Sequence, residues 1–178
     1  NLDGLVTNDM KDSTATIVVI IGESLNRKHC SLYGYCRPTN PRLSKRNDIT
    51  VYQNVRSADF MTQTVLQQVL TFTTDEDPEA RWNKPTLPEL LNAAGWHTYW
   101  FDPYEGRMNT SKTSPTSFQS IAKLCRSFHL SGEEEQYDGA HLTHLELVLR
   151  DSTSSRKALF LHLIGNHFPY ERRYPKEF

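Results

Sequence analysis

The sequence predicts one α/β domain, a mainly parallel sheet flanked by helices, and three observations carry that prediction. Thr16 to Ile21 is an unbroken, largely β-branched apolar run, the pattern of a strand buried on both faces in a parallel sheet. The stretch PTLPELLNAAGWHTYWF reads as a helix followed by a strand. Thr86 is its N-cap, Glu89 the capping-box partner three residues on, Gly95 the stop, and Trp96 to Phe101 the aromatic strand. The run KALFLHLIGNHF is a further apolar strand that ends, like the first, in polar residues.

The other elements follow in order. Thr50 to Val55 alternates and predicts a second, shorter strand. Thr62 to Phe72 places Val65, Leu66, Val69 and Leu70 on one side at helical spacing, with Thr62 or a neighbour as cap. Pro103 to Ser117 is rich in turn formers and hydroxyls, which predicts a long loop able to cover a site. Helices are expected over Ser117 to Leu124 and over about Tyr137 to Leu149.

A chain of 178 residues with a net charge of −1 can bury a real core as one domain or as part of a larger one. It has no strong basic excess, so nucleic acid is not an expected partner. No segment approaches the roughly 20 apolar residues of a membrane span. The opening NLDGLVTNDMKDS lacks the features of a signal peptide, so any targeting segment is expected upstream. Three cysteines, Cys30, Cys36 and Cys125, make an odd count; one bridge plus a free thiol and three reduced thiols both stay open.

Two strands end alike, at Gly22-Glu23-Ser24 and at Gly165-Asn166-His167. Ligands of open α/β sheets sit beyond the carboxyl ends of the strands, so polar groups there face a common crevice. Glu23 has two readings, a metal ligand at the strand tip or the cap of a following helix. Thr62, on its own, reads as an N-cap. His162 and His167 are five apart, which rules out the same-face pair of a helical metalloprotease motif.

The segments IIGESLNRKHCSLYGYCRPTNPRL, YQNVRSADFMTQT and LHLIGNHFPYERRYPKEF, in that order, resemble the phosphoethanolamine transferases of Gram-negative envelopes. These belong to the alkaline phosphatase superfamily, and the closer similarity is to the subgroup that modifies lipopolysaccharide core sugars. The resemblance covers nearly the whole chain and implies an alkaline-phosphatase-like sheet. It implies that Glu23 is a metal ligand and that Thr62 is both ligand and nucleophile, with Thr64 the runner-up. Zinc or another divalent cation is the implied cofactor, and activation of a weak hydroxyl nucleophile is its purpose. The family's remaining ligands, in a D-H-G-E or D-H-G-S stretch, have no counterpart in these residues. Residues 1 to 178 therefore read as the N-terminal portion of a catalytic domain, expected to hold zinc weakly and not to turn over alone.

Substrate contacts are implied at His167, Asn166 and His162, and Arg107 or Lys112 is the cation expected opposite the phosphate. Asp138, in a Tyr-Asp-Gly motif, is expected to open a helix or to support the site from behind. Cys30 and Cys36 match no disulfide of the family. CRPTN, Cys36 to Asn40, has a superficial likeness to the sulfatase nucleophile motif but lacks its arginine and lies too near Glu23. The implied reaction is a ping-pong transfer from phosphatidylethanolamine to lipopolysaccharide, on a core sugar or lipid A, through an ester on the threonine. The implied setting is the periplasmic face of the inner membrane, anchored by a transmembrane region ahead of Asn1. Two alternatives stand beside it. One is a phosphodiesterase or sulfatase-like hydrolase that passes the group to water, told apart by release of free headgroup. The other is a catalytically dead binding module, told apart by the absence of downstream ligands from the full-length sequence.

Overall fold

A computed structural model describes residues 14–102, 117–129 and 137–177. The four strands are β1 (Ala15–Ile21), β2 (His97–Asp102), β3 (Arg126–His129) and β4 (Arg156–His162), all parallel in the order β1-β4-β2-β3. Helices α1 (Thr62–Val69), α2 (Ala80–Asn83), α3 (Leu87–Ala93), α4 (Phe118–Ala122) and α5 (His141–Arg150) connect or flank them. The predicted fold class therefore stands.

Side-chain alternation along the inner strands builds a core on each face of the sheet. Ala158, Phe160 and Trp100 join Leu66 and Leu70 from the α1 segment and Ile121 and Ala122 of α4. Leu159, Leu161, Tyr99 and Phe101 join Val148 of α5 on the other face. Trp100 and Phe160 are fully buried and stacked with ring centroids 5.7 Å apart. Burying each such side chain contributes about 1.5–3 kcal/mol.

Local signals hold where they are strongest. Thr86 caps α3 with both halves of the capping box, its N–H donating to Glu89 Oε2 at 2.6 Å, and Gly95 leaves the helix at φ +76°. Lys157, buried in β4, donates through Nζ to the carbonyls of Leu149 and Asp151 and so satisfies the C-terminus of α5.

Four expectations change. Residues 50–55 form no strand; Tyr52 and Val55 are exposed and the segment pairs with neither sheet edge, which leaves alternation with nothing to bury. The run in β1 is not buried on both faces. Among the described residues β1 pairs only with β4, and Ile17, Val18 and Ile20 are exposed. Val69 of α1 is exposed while Leu66 and Leu70, one turn apart, face the core. The helix expected from Tyr137 begins as a 3-10 turn, Asp138–Ala140, before α5. Strand β3 was not expected; four residues with little apolar content leave no periodicity to read. The loop expected over Pro103 to Ser117 falls, except for Ser117, outside the described residues. All three cysteines are free, with Cys30 donating to Asn40 Oδ1.

His141 is buried at the start of α5, edge-on to Phe101 at 6.1 Å, and neither ring nitrogen has a hydrogen-bond partner among the described residues. Burial lowers its pKa; Asp138 and Asp102 oppose that shift, and His144 and His162 add to it. With the folded value below 6.5, the unfolded chain binds more protons in the window beneath it, so this group's stability contribution is complete above pH 6.5 and falls as pH drops toward the folded value. Urea midpoints measured at pH 7.5, 6.5 and 5.5 should fall across the lower step, and His141→Phe should flatten that slope.

Candidate functional site

Register brings three strand ends together. Ile21 lies opposite His162, and Leu161 opposite Phe101, so the tips of β1, β4 and β2 share one edge of the sheet. Glu23 follows β1 by two residues, His162 ends β4 and Asp102 ends β2. The backbone beyond β4 is then clamped against the backbone beyond β1. Leu163 N donates to Ile21 O at 2.9 Å, and Asn166 N to Glu23 O at 3.1 Å. From the other side, the Asp138 carboxylate accepts from Ile164 N at 2.7 Å and from Gly165 N at 3.1 Å. Gly165 has φ +46°, and a Cβ there would stand 2.7 Å from Glu23 O, so only glycine fits between the two segments.

The clamped Glu23 carboxylate is shared by two hydroxyls. Thr62 Oγ1 donates to Oε2 at 2.8 Å and Ser24 Oγ donates to Oε1 at 2.8 Å. Ser24 reaches that position with φ +52°, an uncommon backbone for a residue with a Cβ. Thr62 arrives as the first helical residue of α1, behind a turn in which Asp59 Oδ1 accepts from Phe60 N at 2.6 Å and Met61 N at 2.9 Å. Met61 is the capping residue and makes no side-chain bond, so the hydroxyl of Thr62 serves the contact to Glu23 rather than its own helix.

Behind Glu23 stands a buried row. His162, 1% exposed, has Nε2 3.9 Å from Glu23 Oε2 and Nδ1 3.5 Å from Asp102 Oδ2, and Trp100 Nε1 donates to the same Asp102 oxygen at 3.2 Å. The ring is wedged between two carboxylates because β4 is an inner strand whose last side chain is covered by its neighbours. That burial takes His162 out of the open cleft where a substrate contact was expected. Asp102 was missed in the sequence; an acid closing an aromatic strand was its one signal.

A cleft of about 320 Å³ opens in front, lined by Glu23, Ser24, Leu25, Asp59, Phe60 and Thr62. A second groove of about 690 Å³ shares Ser24 and Leu25 and runs along Asn26, His29, Thr39, Asn40, Asn166 and Tyr170. Asn166 is thus at a groove wall. His167 is exposed, and since a carbonyl only accepts, its Nδ1 carries the proton donated to Phe168 O at 2.7 Å. Thr64 lies within α1, two residues past the point of contact with Glu23 and so about half a turn round the helix from it. Arg107 and Lys112 lie outside the described residues.

Glu23 and Thr62 supply two oxygen donors of the kind a divalent cation takes, already converged on one point. Among the described residues no three His, Cys, Asp or Glu side chains could hold a metal together. The donor chemistry fits zinc, with half of a usual four-ligand set.

Comparison with known proteins gives the family and the fold. The chain is 33% identical over 173 residues to phosphoethanolamine transferase CptA of Salmonella typhimurium, covering 93% of this chain and 29% of that protein. It is 32% identical over 167 residues to phosphoethanolamine transferase EptC of Escherichia coli, covering 90% and 29%. The crystal structure of the C-terminal periplasmic domain of Escherichia coli EptC in complex with zinc superposes with a TM-score of 0.81 at 29% identity, over 93% of this chain and 48% of that domain. The soluble domain of lipooligosaccharide phosphoethanolamine transferase A from Neisseria meningitidis, at 23% identity and a TM-score of 0.74, shares the fold. The chain thus spans under a third of its curated relatives and about half of the solved domain. With a parallel sheet whose strand tips present Glu23 to Thr62, and with residues 15–178 matching the Sulfatase family model, the chain belongs to the sulfatase family.

Proposed function

We propose that the protein transfers phosphoethanolamine from phosphatidylethanolamine to lipopolysaccharide through an ester on Thr62, as part of a periplasmic catalytic domain held at the inner membrane. The observation that carries this reading is the 2.8 Å hydrogen bond from Thr62 Oγ1 to Glu23 Oε2, closed between residues 39 apart in sequence.

Thr62 Oγ1 forms the bond to phosphorus while the bond from phosphorus to the glycerol oxygen breaks. The hydroxyl proton ends on that departing oxygen as diacylglycerol leaves. The hydrogen bond to Glu23 engages the proton and fixes the hydroxyl at the cleft wall, which leaves the oxygen's lone pairs available to the incoming phosphorus. The N-terminus of α1 adds a favourable dipole for negative charge on the phosphoryl oxygens. Glu23 and Thr62 would hold a divalent cation, which would supply Lewis-acid charge stabilisation when bound. His162, backed by Asp102, fixes the rear of Glu23 rather than touching substrate. Asn166, His167 and a cation such as Arg107 or Lys112 are proposed for the substrate side. In the second half-reaction an acceptor oxygen takes the phosphorus and Thr62 recovers its proton.

Intact-mass measurement of the full-length protein after incubation with phosphatidylethanolamine tests this. The expected result is the mass of one added phosphoethanolamine, mapped by peptide fragmentation to Thr62 and discharged by lipopolysaccharide. An adduct on another residue, or release of the headgroup to water with no transfer, would overturn it.

A further inference from the structure

Charge is distributed unevenly along this chain. Between Glu23 and Asp48 there is no acidic residue, yet Arg27, Lys28, Arg37, Arg42, Lys45 and Arg46 all lie there, in a chain whose net charge is −1. The rest of the molecule is therefore net acidic, and this segment is a basic island.

The island is a built lobe. Thr39 Oγ1 donates to His29 O at 2.8 Å and accepts from Ser31 N at 2.8 Å, Asn40 N donates to Ser31 Oγ at 2.9 Å, and Ser44 N donates to Asn40 O at 2.9 Å. Those bonds hold residues 29–31 against 39–44, so like charges are kept close despite their repulsion. Arg46 is paired with Asp48, and Arg27 lies over the Tyr33 ring at 5.2 Å. Lys28, Arg37, Arg42 and Lys45 are exposed. The same lobe supplies Asn26, His29, Thr39 and Asn40 to the larger groove, which meets the Thr62 cleft at Ser24 and Leu25.

We infer that this lobe and its groove dock a saccharide bearing phosphate groups, the acceptor of the transfer. Amide, imidazole and hydroxyl groups with the exposed ring of Tyr170 suit sugar hydroxyls, and the exposed cations of the same lobe, which lie outside the groove lining, suit phosphates. A ligand seated there presents a group toward Thr62 through the shared wall at Ser24. A flat anionic bilayer would use the cations but leave the concave polar groove without a purpose. This deepens the proposed function and rests on it for the word acceptor.

The test uses the full-length protein and the variant Lys28→Ala, Arg37→Ala, Arg42→Ala, Lys45→Ala, whose exposed side chains make it a mild change for the fold. Calorimetry measures binding of a lipooligosaccharide core oligosaccharide carrying its phosphates, and of the same oligosaccharide after phosphatase treatment. The expected result is tighter binding of the phosphorylated form by the unaltered protein, a loss of about tenfold in the variant, and a weaker salt dependence in the variant. Equal binding by both proteins, or an equal loss for both oligosaccharides, overturns the inference. So does a variant that loses only its affinity for phosphatidylglycerol vesicles, which would make the island a membrane contact. Adduct formation from phosphatidylethanolamine is followed alongside: its failure with binding intact sinks the transferase reading and leaves the phosphosaccharide dock standing.

Discussion

Thr62→Ala is expected to abolish the phosphoethanolamine adduct, lowering its rate of formation by at least about 10⁴-fold, while the protein stays folded. The two halves of that expectation have separate physical grounds. Activity goes because, in the proposed reaction, the hydroxyl oxygen is the atom that bonds to phosphorus, and among the described residues Thr62 alone donates to Glu23 Oε2. Stability stays because two small effects oppose each other. One hydrogen bond worth about 0.5–1.5 kcal/mol is lost, and alanine in the first turn recovers up to about 0.7 kcal/mol of helix propensity. Ser24 continues to bind the other Glu23 oxygen, so the carboxylate does not become an orphan. Thr64→Ala, two residues further into α1 and about half a turn round the helix, should keep the adduct. An adduct retained by the Thr62 variant and lost in the Thr64 variant would transfer the nucleophile assignment. Urea unfolding alongside mass spectrometry separates chemistry from folding in both proteins.

Gly165→Ala is expected to cost about 3 kcal/mol and to slow adduct formation by about 10²-fold, although residue 165 touches no reacting atom. A residue with a Cβ at φ +46° pays for the left-handed backbone. Its methyl group would also meet Glu23 O at 2.7 Å and Glu23 N at 3.1 Å, and both are backbone atoms that no rotamer change can move aside. Relief must come from separating the segments beyond β1 and β4, which breaks the bond from Asn166 N to Glu23 O or pulls Gly165 from Asp138. Either movement displaces the Glu23 carboxylate from Thr62. Gly22→Ala is the control. A Cβ there meets nothing within 4 Å, so its stability should remain within about 0.5 kcal/mol. If both glycine variants behave alike in urea unfolding and in adduct formation, the clamp plays no part in positioning Glu23.

The residues by themselves determined the α/β class, the apolar runs of β1 and β4, the capping box of α3 and the approach of Thr62 as a helix start, since each depends on neighbours within a few positions. Pairing Glu23 with Thr62 needed the motif order as well; composition alone leaves one as a possible cap and the other as an N-cap. Local pattern misled at 50–55 and at the exposed flank of β1, because burial depends on what packs alongside and alternation does not report it. The burial of His162 between Glu23 and Asp102, the clamp at Gly165 and the tie from Asp138 were decided only by tertiary structure. Each joins residues far apart in sequence through parallel register, and register is set by the assembled sheet rather than by any one strand.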